Sequence, residues 1–312
     1  MNVGIIGIGN HAIKNIIPAV MQSKNLNLIG IASRSISEKN INLGNKRIII
    51  FPSCEDLISN QDIDTVIVTS PVGLHYYYGK MVLKSGKNLW CEKSLVSSFK
   101  EAKSLNQLSI VNGVDLKEMF MFLYHPQFNE IKKIAESGKI GKVKSISAKF
   151  GFPHLDKSDI RYNSQLGGGS LLDAGCYPIA AAHSLFGGKP QKVVSNIFSD
   201  DDYEVDTSGC ALFTYSSGQY AIMEWGFGKS YHNEIELWGD KGSLKAERIF
   251  SKPSNLETKV ILRDSNGNTE EIFIPAANHF VNMFTEFIKK SVPNDWILDQ
   301  SNLIHRVRDN SQ

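Results

Sequence analysis

Cysteine is scarce in this chain. There are four in 312 residues (Cys54, Cys91, Cys176 and Cys210), and none form a C-x-x-C pair. Such scatter argues against a zinc site and, at this length, against a disulfide framework, so reduced, mostly buried thiols are expected. A dominant charge is lacking too. Lys and Arg number 34 against 32 Asp and Glu, a formal +2, which gives no electrostatic hold on nucleic acid or an anionic membrane. No run approaches the roughly 20 apolar residues a bilayer span needs. The apolar start has no basic region ahead of it and is broken by glycines, unlike a secretory leader. Internal repeats and low-complexity tracts are absent as well. A cytoplasmic protein without metal, membrane or nucleic-acid partners is expected, long enough for two domains.

What is present falls into two halves of different rhythm. Over residues 1–118 short apolar runs alternate with helical patterns. Segments 2–7, 26–33, 48–51, 65–69 and 88–91 read as buried strands. Ile13, Ile16, Ile17 and Val20 predict a helix from about Asn10 to Gln22, kinked at Pro18. A helix from about Leu74 to Ser85 is stopped by Gly86. Ser35-Ile36-Ser37-Glu38 and Ser98-Phe99-Lys100-Glu101 are capping-box signatures, the second opening a helix to about Leu108. Alternation of this kind predicts a doubly wound parallel sheet covered on both faces.

Over residues 119–312 the pattern changes. A helix at 126–137 precedes a long alternating strand at 142–152, then a loop rich in Asp, Ser and Gly and a helix from about Cys176 to Leu185. At least five long strands between Gln191 and Ile274, with turns at 216–218, 239–242 and 265–268, predict a large open, mostly antiparallel sheet. A helix from about Ala277 to Lys290 closes this α+β domain. Its exposed sheet face is a natural assembly surface, so a homodimer or homotetramer is expected.

Chemistry is concentrated at a few sites. Gly7-Ile8-Gly9-Asn10-His11-Ala12 is a G-x-G-x-x-A that follows a strand and opens a helix. The first glycine permits the turn, the second admits a pyrophosphate to the backbone, and Ala12 packs helix on strand. The second strand ends in Ala32-Ser33-Arg34-Ser35. No carboxylate stands there to chelate the ribose diol, and Arg34 suits a 2′-phosphate, so NADP(H) is preferred over NAD(H), with Ser33 beside it. Thr69-Ser70-Pro71-Val72-Gly73-Leu74-His75 follows another strand, placing Ser70, Pro71, Leu74 and His75 where parallel sheets bind ligands. His75 is either a general base or a structural histidine.

Further along lie Glu92-Lys93 and the run Gly167-Gly168-Gly169-Ser170-Leu171-Leu172-Asp173-Ala174-Gly175-Cys176-Tyr177. A lysine between a nicotinamide site and a carboxylate–tyrosine pair points to proton relay alongside hydride transfer at a sugar carbon. A free phenol, with pKa about 10, is a poor base at neutral pH, but an ammonium such as Lys93 stabilises its phenolate. In the reductive direction the neutral phenol is already a competent donor.

With Tyr124-His125-Pro126-Gln127, these segments resemble the glucose–fructose oxidoreductase / inositol dehydrogenase / rhizopine-catabolism (Gfo/Idh/MocA) family over nearly the whole chain. The resemblance implies an N-terminal Rossmann domain and a C-terminal domain with an open antiparallel sheet. It makes Lys93 the lysine near nicotinamide and reacting carbon, Asp173 the acid before the active-site helix, and Tyr177 the proton donor where many members carry histidine. Tyrosine at that position is seen in the branch of glucose–fructose oxidoreductase, dihydrodiol dehydrogenases and nucleotide-sugar ketoreductases. Two positions depart from the family: Ser94 replaces a proline, so any special bend must be held without the pyrrolidine, and Leu123 stands where many members place an arginine.

Trp225-Gly226-Phe227-Gly228, Tyr231-His232-Asn233-Glu234, Trp238-Gly239-Asp240-Lys241-Gly242 and residues 248–253 resemble ketoreductases of nucleotide-linked deoxysugars. Their aromatic residues either stack on a base or sugar or fill a core. The resemblance thus implies ketoreduction of a nucleotide-linked hexose. Oxidation of a free sugar or trans-dihydrodiol is the alternative, and a non-catalytic dinucleotide-binding scaffold the third reading.

Overall fold

The computed structural model describes residues 1–34, 48–289 and 294–311. The chain divides into two compact units, residues 1–119 with 280–301 and residues 120–279 with 302–312. This differs from a single cut after residue 118, because a stretch near the C-terminus returns to the first unit.

Six parallel strands form the sheet of the first unit: β1 (Asn2–Ile6), β2 (Asn27–Ala32), β3 (Ile49–Ile50), β4 (Thr65–Val68), β5 (Asn88–Glu92) and β6 (Leu116–Met119). Their spatial order is β3-β2-β1-β4-β5-β6. All four residues of β4 are buried, as befits a strand covered on both faces. The order reverses at β1, so the loops after β1 and β4 flank the crevice where such sheets take ligands.

The first crossover opens on a π-turn, Ala12–Ile16, before α1 (Ile17–Gln22). Pro18, expected to kink the helix, sits in the first turn of α1. Its missing N–H costs little there, and the wider turn ahead of it accommodates the ring. Next come α2 (Cys54–Ser59), capped by Ser53 Oγ accepting from Asp56 N–H at 3.0 Å, and α3 (His75–Lys84). In α4 (Phe99–Asn112) both bonds of the expected Ser98–Glu101 capping box form, and the helix runs to Gly113 at φ 63°. The other signature, Ser35-Ile36-Ser37-Glu38, lies outside the described residues.

The second unit carries an eight-stranded sheet: β7 (Val143–Phe152), β8 (Lys192–Phe198), β9 (Ser208–Thr214), β10 (Tyr220–Phe227), β11 (His232–Gly239), β12 (Gly242–Glu247), β13 (Thr258–Asp264) and β14 (Thr269–Ile274). Its order is β14-β13-β12-β11-β7-β10-β9-β8, antiparallel except where β7 meets β10. Helices α5 (Pro126–Ser137) and α6 (Cys176–Phe186) contact this sheet. Val194, Leu212 and Ile222 stand in register on adjacent strands and are exposed, as is Trp238.

Two helices end the chain, α7 (His279–Lys289) and α8 (Asn294–Asp309). The reason residues 280–301 return to the first unit is Trp90. Phe284 stacks on it at 5.7 Å between centroids and Phe287 meets it edge-on at 5.3 Å, an arrangement worth about 0.5–1.5 kcal/mol per pair beyond area burial. The buried Lys117 ammonium of β6 also donates to the Phe287 carbonyl.

Candidate active site

The dinucleotide turn follows directly from β1. Gly7 adopts φ +90°, and a Cβ there would lie 2.4 Å from the Ser70 backbone nitrogen. Only glycine lets the loops after β1 and β4 touch. A Cβ on Gly9 would meet nothing within 4 Å, so its backbone borders open space of the kind a pyrophosphate fills. Ile8 and Ala12 are buried beneath, while Asn10 and His11 are exposed at the helix start. This cradle fits a dinucleotide. Beyond β2, Ser33 is half-buried and Arg34 exposed. Burial pushes Tyr78 up to about 12, and Arg34 opposes that rise, which places a guanidinium charge at this end of the strand.

Ser70, Pro71 and Leu74 are half-buried beyond β4, but His75 is fully enclosed. Its Nδ1 lies 2.9 Å from the Ser94 carbonyl and its Nε2 2.7 Å from that of Ser70. Burial lowers its pKa, and the facing carbonyls oppose that shift. His75 therefore braces two loops from within. His11 Nε2 lies 3.2 Å from Glu92 Oε1, and Glu92 Oε2 accepts from the Lys93 N–H at 3.2 Å, so one carboxylate joins the glycine turn to the lysine. Lys93 itself is half-buried. The Lys93–Ser94 peptide is cis, and the turn is held by His75 and by the Leu95 N–H, which donates to Glu118 Oε1 at 2.7 Å.

In the second unit Asp173 lies inside a π-turn, Leu171–Gly175, that runs into α6. The acid thus belongs to the helix start instead of preceding it. The glycines ahead are required by packing: a Cβ on Gly168 would sit 2.5 Å from the Arg161 carbonyl, and one on Gly169 2.3 Å from Asp206 Oδ1. Asp206 Oδ2 accepts from the Leu171 N–H at 2.6 Å and fastens the turn. Arg161 Nε donates to Asp173 Oδ2 at 2.7 Å and its Nη1 to Asp159 Oδ1 at 3.1 Å. The two carboxylates hold the guanidinium pKa above its ordinary value. Sequence reasoning missed Arg161. Its only signal was Asp159-Ile160-Arg161 inside an irregular loop.

Tyr177 is 5% exposed, and its hydroxyl donates to Met121 Sδ at 3.8 Å. Phe150 lies 5.2 Å away between centroids, and Phe120, Phe122 and Phe250 each 5.9 Å. Among the proposed stacking residues, Trp225 and Phe227 are buried at 1% and 2% and fill the core. Gly175 packs against the Trp225 indole, where a Cβ would come within 2.8 Å. Tyr231 and Trp238 are exposed, and Arg248 lies over the Tyr231 ring at 4.4 Å.

Burial holds Lys252 down to about 7, from an ordinary 10.5. Burial, and after it the nearby Lys252 charge, lower His125 to about 4. Between the two values for Lys252 the unfolded chain binds more protons than the folded one, so stability rises with pH across that window. Below it the ammonium is present in both states and burial disfavours the fold fully. Lys252→Met is accordingly expected to exceed the parent in stability at neutral pH by on the order of 2–4 kcal/mol, with the gap closing toward alkaline pH. Chemical denaturation across the range checks this, and a gap independent of pH contradicts it.

Among the described residues no group of three or more His, Cys, Asp or Glu is placed to hold a metal ion, and no helix is long and apolar enough to cross a membrane.

Comparison with known proteins bears directly on these features. Residues 1–120 match the oxidoreductase family with an NAD-binding Rossmann fold, and residues 128–245 match the GFO/IDH/MocA C-terminal domain. The chain is similar to a dTDP-3,4-didehydro-2,6-dideoxy-alpha-D-glucose 3-reductase of Actinomadura kijaniata. The two are 30% identical over 321 residues, covering 99% of this chain and 95% of that one. A trans-1,2-dihydrobenzene-1,2-diol dehydrogenase of Xenopus tropicalis is 28% identical over 231 residues, covering 73% of this chain and 69% of its own. Among solved structures, a 3-ketoreductase from Actinomadura kijaniata in complex with NADP and TDP-benzene gives a TM-score of 0.94 at 28% identity, covering 100% of this chain and 98% of that one.

Proposed function

The chain belongs to the GFO/IDH/MocA oxidoreductase family, and from that premise we propose that it uses NADPH to reduce a keto group on a nucleotide-linked hexose. The observation that carries this reading is Tyr177, a phenol enclosed by four phenylalanine rings one helical turn beyond an acid fixed by arginine. The relatives that act on thymidine-diphosphate keto-sugars support the substrate class.

When bound, NADPH would supply the hydride that the ketone carbon accepts, leaving an alkoxide on the substrate. Gly7, Ile8, Gly9, Asn10, His11 and Ala12 would hold its pyrophosphate, Ser33 and Arg34 its ribose phosphate, and Ser70, Pro71, Leu74 and Glu92 the loops around it. His75 contributes by bracing those loops. Tyr177 donates its phenolic proton to the alkoxide, a role worth about 10²–10⁴ in rate for a well-placed acid. Lys93 supplies the positive charge that favours the resulting phenolate. Asp173, anchored by Arg161, orients the site. The apolar lining of Tyr177 also suits an arene, which favours trans-dihydrodiol oxidation as a second reading. In both readings the enzyme is cytoplasmic. We further place a second copy of the chain on the exposed Val194–Leu212–Ile222 face, as a homodimer or homotetramer whose molar mass in solution decides between them.

Turnover tests the choice. NADPH consumption with a thymidine-diphosphate keto-hexose, exceeding NADP⁺ reduction by xylose or a trans-dihydrodiol, supports the first reading, and the reverse order supports the second. Inactivity in both directions, from folded protein that binds NADPH, points to a scaffold. The cofactor preference has its own test. Arg34→Ser is expected to weaken NADPH binding by about 10–100-fold, the worth of a charge-assisted bond, and to leave NADH within about twofold. An equal loss for both cofactors would remove Arg34 from phosphate recognition.

A further inference from the structure

Glu118 is a buried carboxyl that the proposed chemistry does not use. It lies on β6, in register with Cys91 on β5, two residues before Lys93. Its side chain is only 6% exposed. Oε1 accepts from the Leu95 N–H at 2.7 Å, two residues after the lysine. Oε2 is buried with no hydrogen-bond partner among the described residues. A carboxyl with an orphaned oxygen in a closed interior costs stability, and such groups cluster at functional sites. Among the described residues, the charges of Lys93 and Glu92 act on it, and it acts in turn on Cys91.

We propose that Glu118 acts through Lys93 as a positioning residue, fixing the turn that carries the lysine and placing a carboxyl group within reach of its ammonium. Removal from water is the main cause lifting Glu118 to about 8; Glu92 adds to the rise, while the Leu95 bond and Lys93 oppose it. Around neutrality the group is therefore mostly a neutral acid, and above that midpoint it becomes an anion that favours the charged form of Lys93. Cys91, raised by its own burial and by both carboxylates, stays a thiol.

The inference rests on Lys93 being the lysine of the proposed reaction, but the coupling itself is measurable without substrate. Glutamate carboxyl carbons, isotopically enriched and followed by NMR, are expected to show one midpoint near 8 that Glu118→Gln abolishes. In Lys93→Met that midpoint is expected to rise by about one pH unit or more, because the opposing cation is gone. A midpoint unmoved in Lys93→Met overturns the coupling, and this arm stands even if Glu118→Gln fails to fold. In turnover, the ratio of Glu118→Gln to parent kcat is expected to fall about tenfold or more between mildly acidic and alkaline pH. A purely structural role would give a ratio constant with pH. If no keto-sugar nucleotide is turned over, the proposed reaction fails while the NMR titration still decides the coupling. If turnover is found and the midpoint stays put, the reaction stands and the role of Glu118 falls.

Discussion

Lys93→Met is expected to lower kcat about a thousandfold or more, on the order of 4 kcal/mol of transition-state stabilisation. Methionine matches the lysine stem in length and is apolar, so it fills the half-buried position and removes the ammonium. The turn it stands on is held by bonds from other residues, the Leu95 N–H to Glu118 and the Ser94 carbonyl to His75. NADPH affinity should consequently stay within a few-fold, and the loss should appear in kcat, as for an interaction made only in the transition state. Single-turnover rates with prebound NADPH check this. Full activity in folded Lys93→Met would contradict both proposed reactions.

Tyr177→Phe is the second large effect, about 10²–10³ in kcat. The ring sits among Phe120, Phe122, Phe150 and Phe250. Phenylalanine keeps the ring among these neighbours and removes the hydroxyl, which makes a long contact to Met121 Sδ. Stability is therefore expected to change by less than about 1 kcal/mol, so a rate loss reports proton donation and not packing. Thermal unfolding beside steady-state kinetics separates the two. A variant as fast as the parent would show that solvent or another group delivers the proton.

Much of this was legible in the sequence, because alternation and periodicity are local signals. Strands at 65–68 and 88–92, the helix Pro126–Ser137 and the capping box of α4 follow from a few adjacent residues each. Elements that depend on distant partners were not legible. β6 reads Leu-Lys-Glu-Met, with two buried ionisable residues that a local apolar pattern does not mark as a strand. The return of residues 280–301 to the first unit depends on Trp90 meeting Phe284 and Phe287, across almost 200 residues.

The candidate site divides in the same way. Gly7, Gly9, Lys93, Asp173 and Tyr177 stand in recognisable runs. His75 showed its position in the sequence but not its close approach to three backbone carbonyls. Arg161 and Glu118 are tied by hydrogen bonds to Asp173 and Leu95, and little in the local pattern announces them. Aromatic residues in the second sheet pointed both ways, and burial decided for Trp225 and Phe227 as core.

The central claim is hydride transfer from NADPH to a sugar carbon of a nucleotide-linked substrate. The measurement that tests it most directly uses NADPH deuterated at the transferring position, with a thymidine-diphosphate keto-hexose and mass analysis of the product. One deuterium retained on the sugar ring, and its loss in Lys93→Met, is the predicted result. NADPH bound but no deuterium in the sugar, from protein shown to be folded, would contradict it.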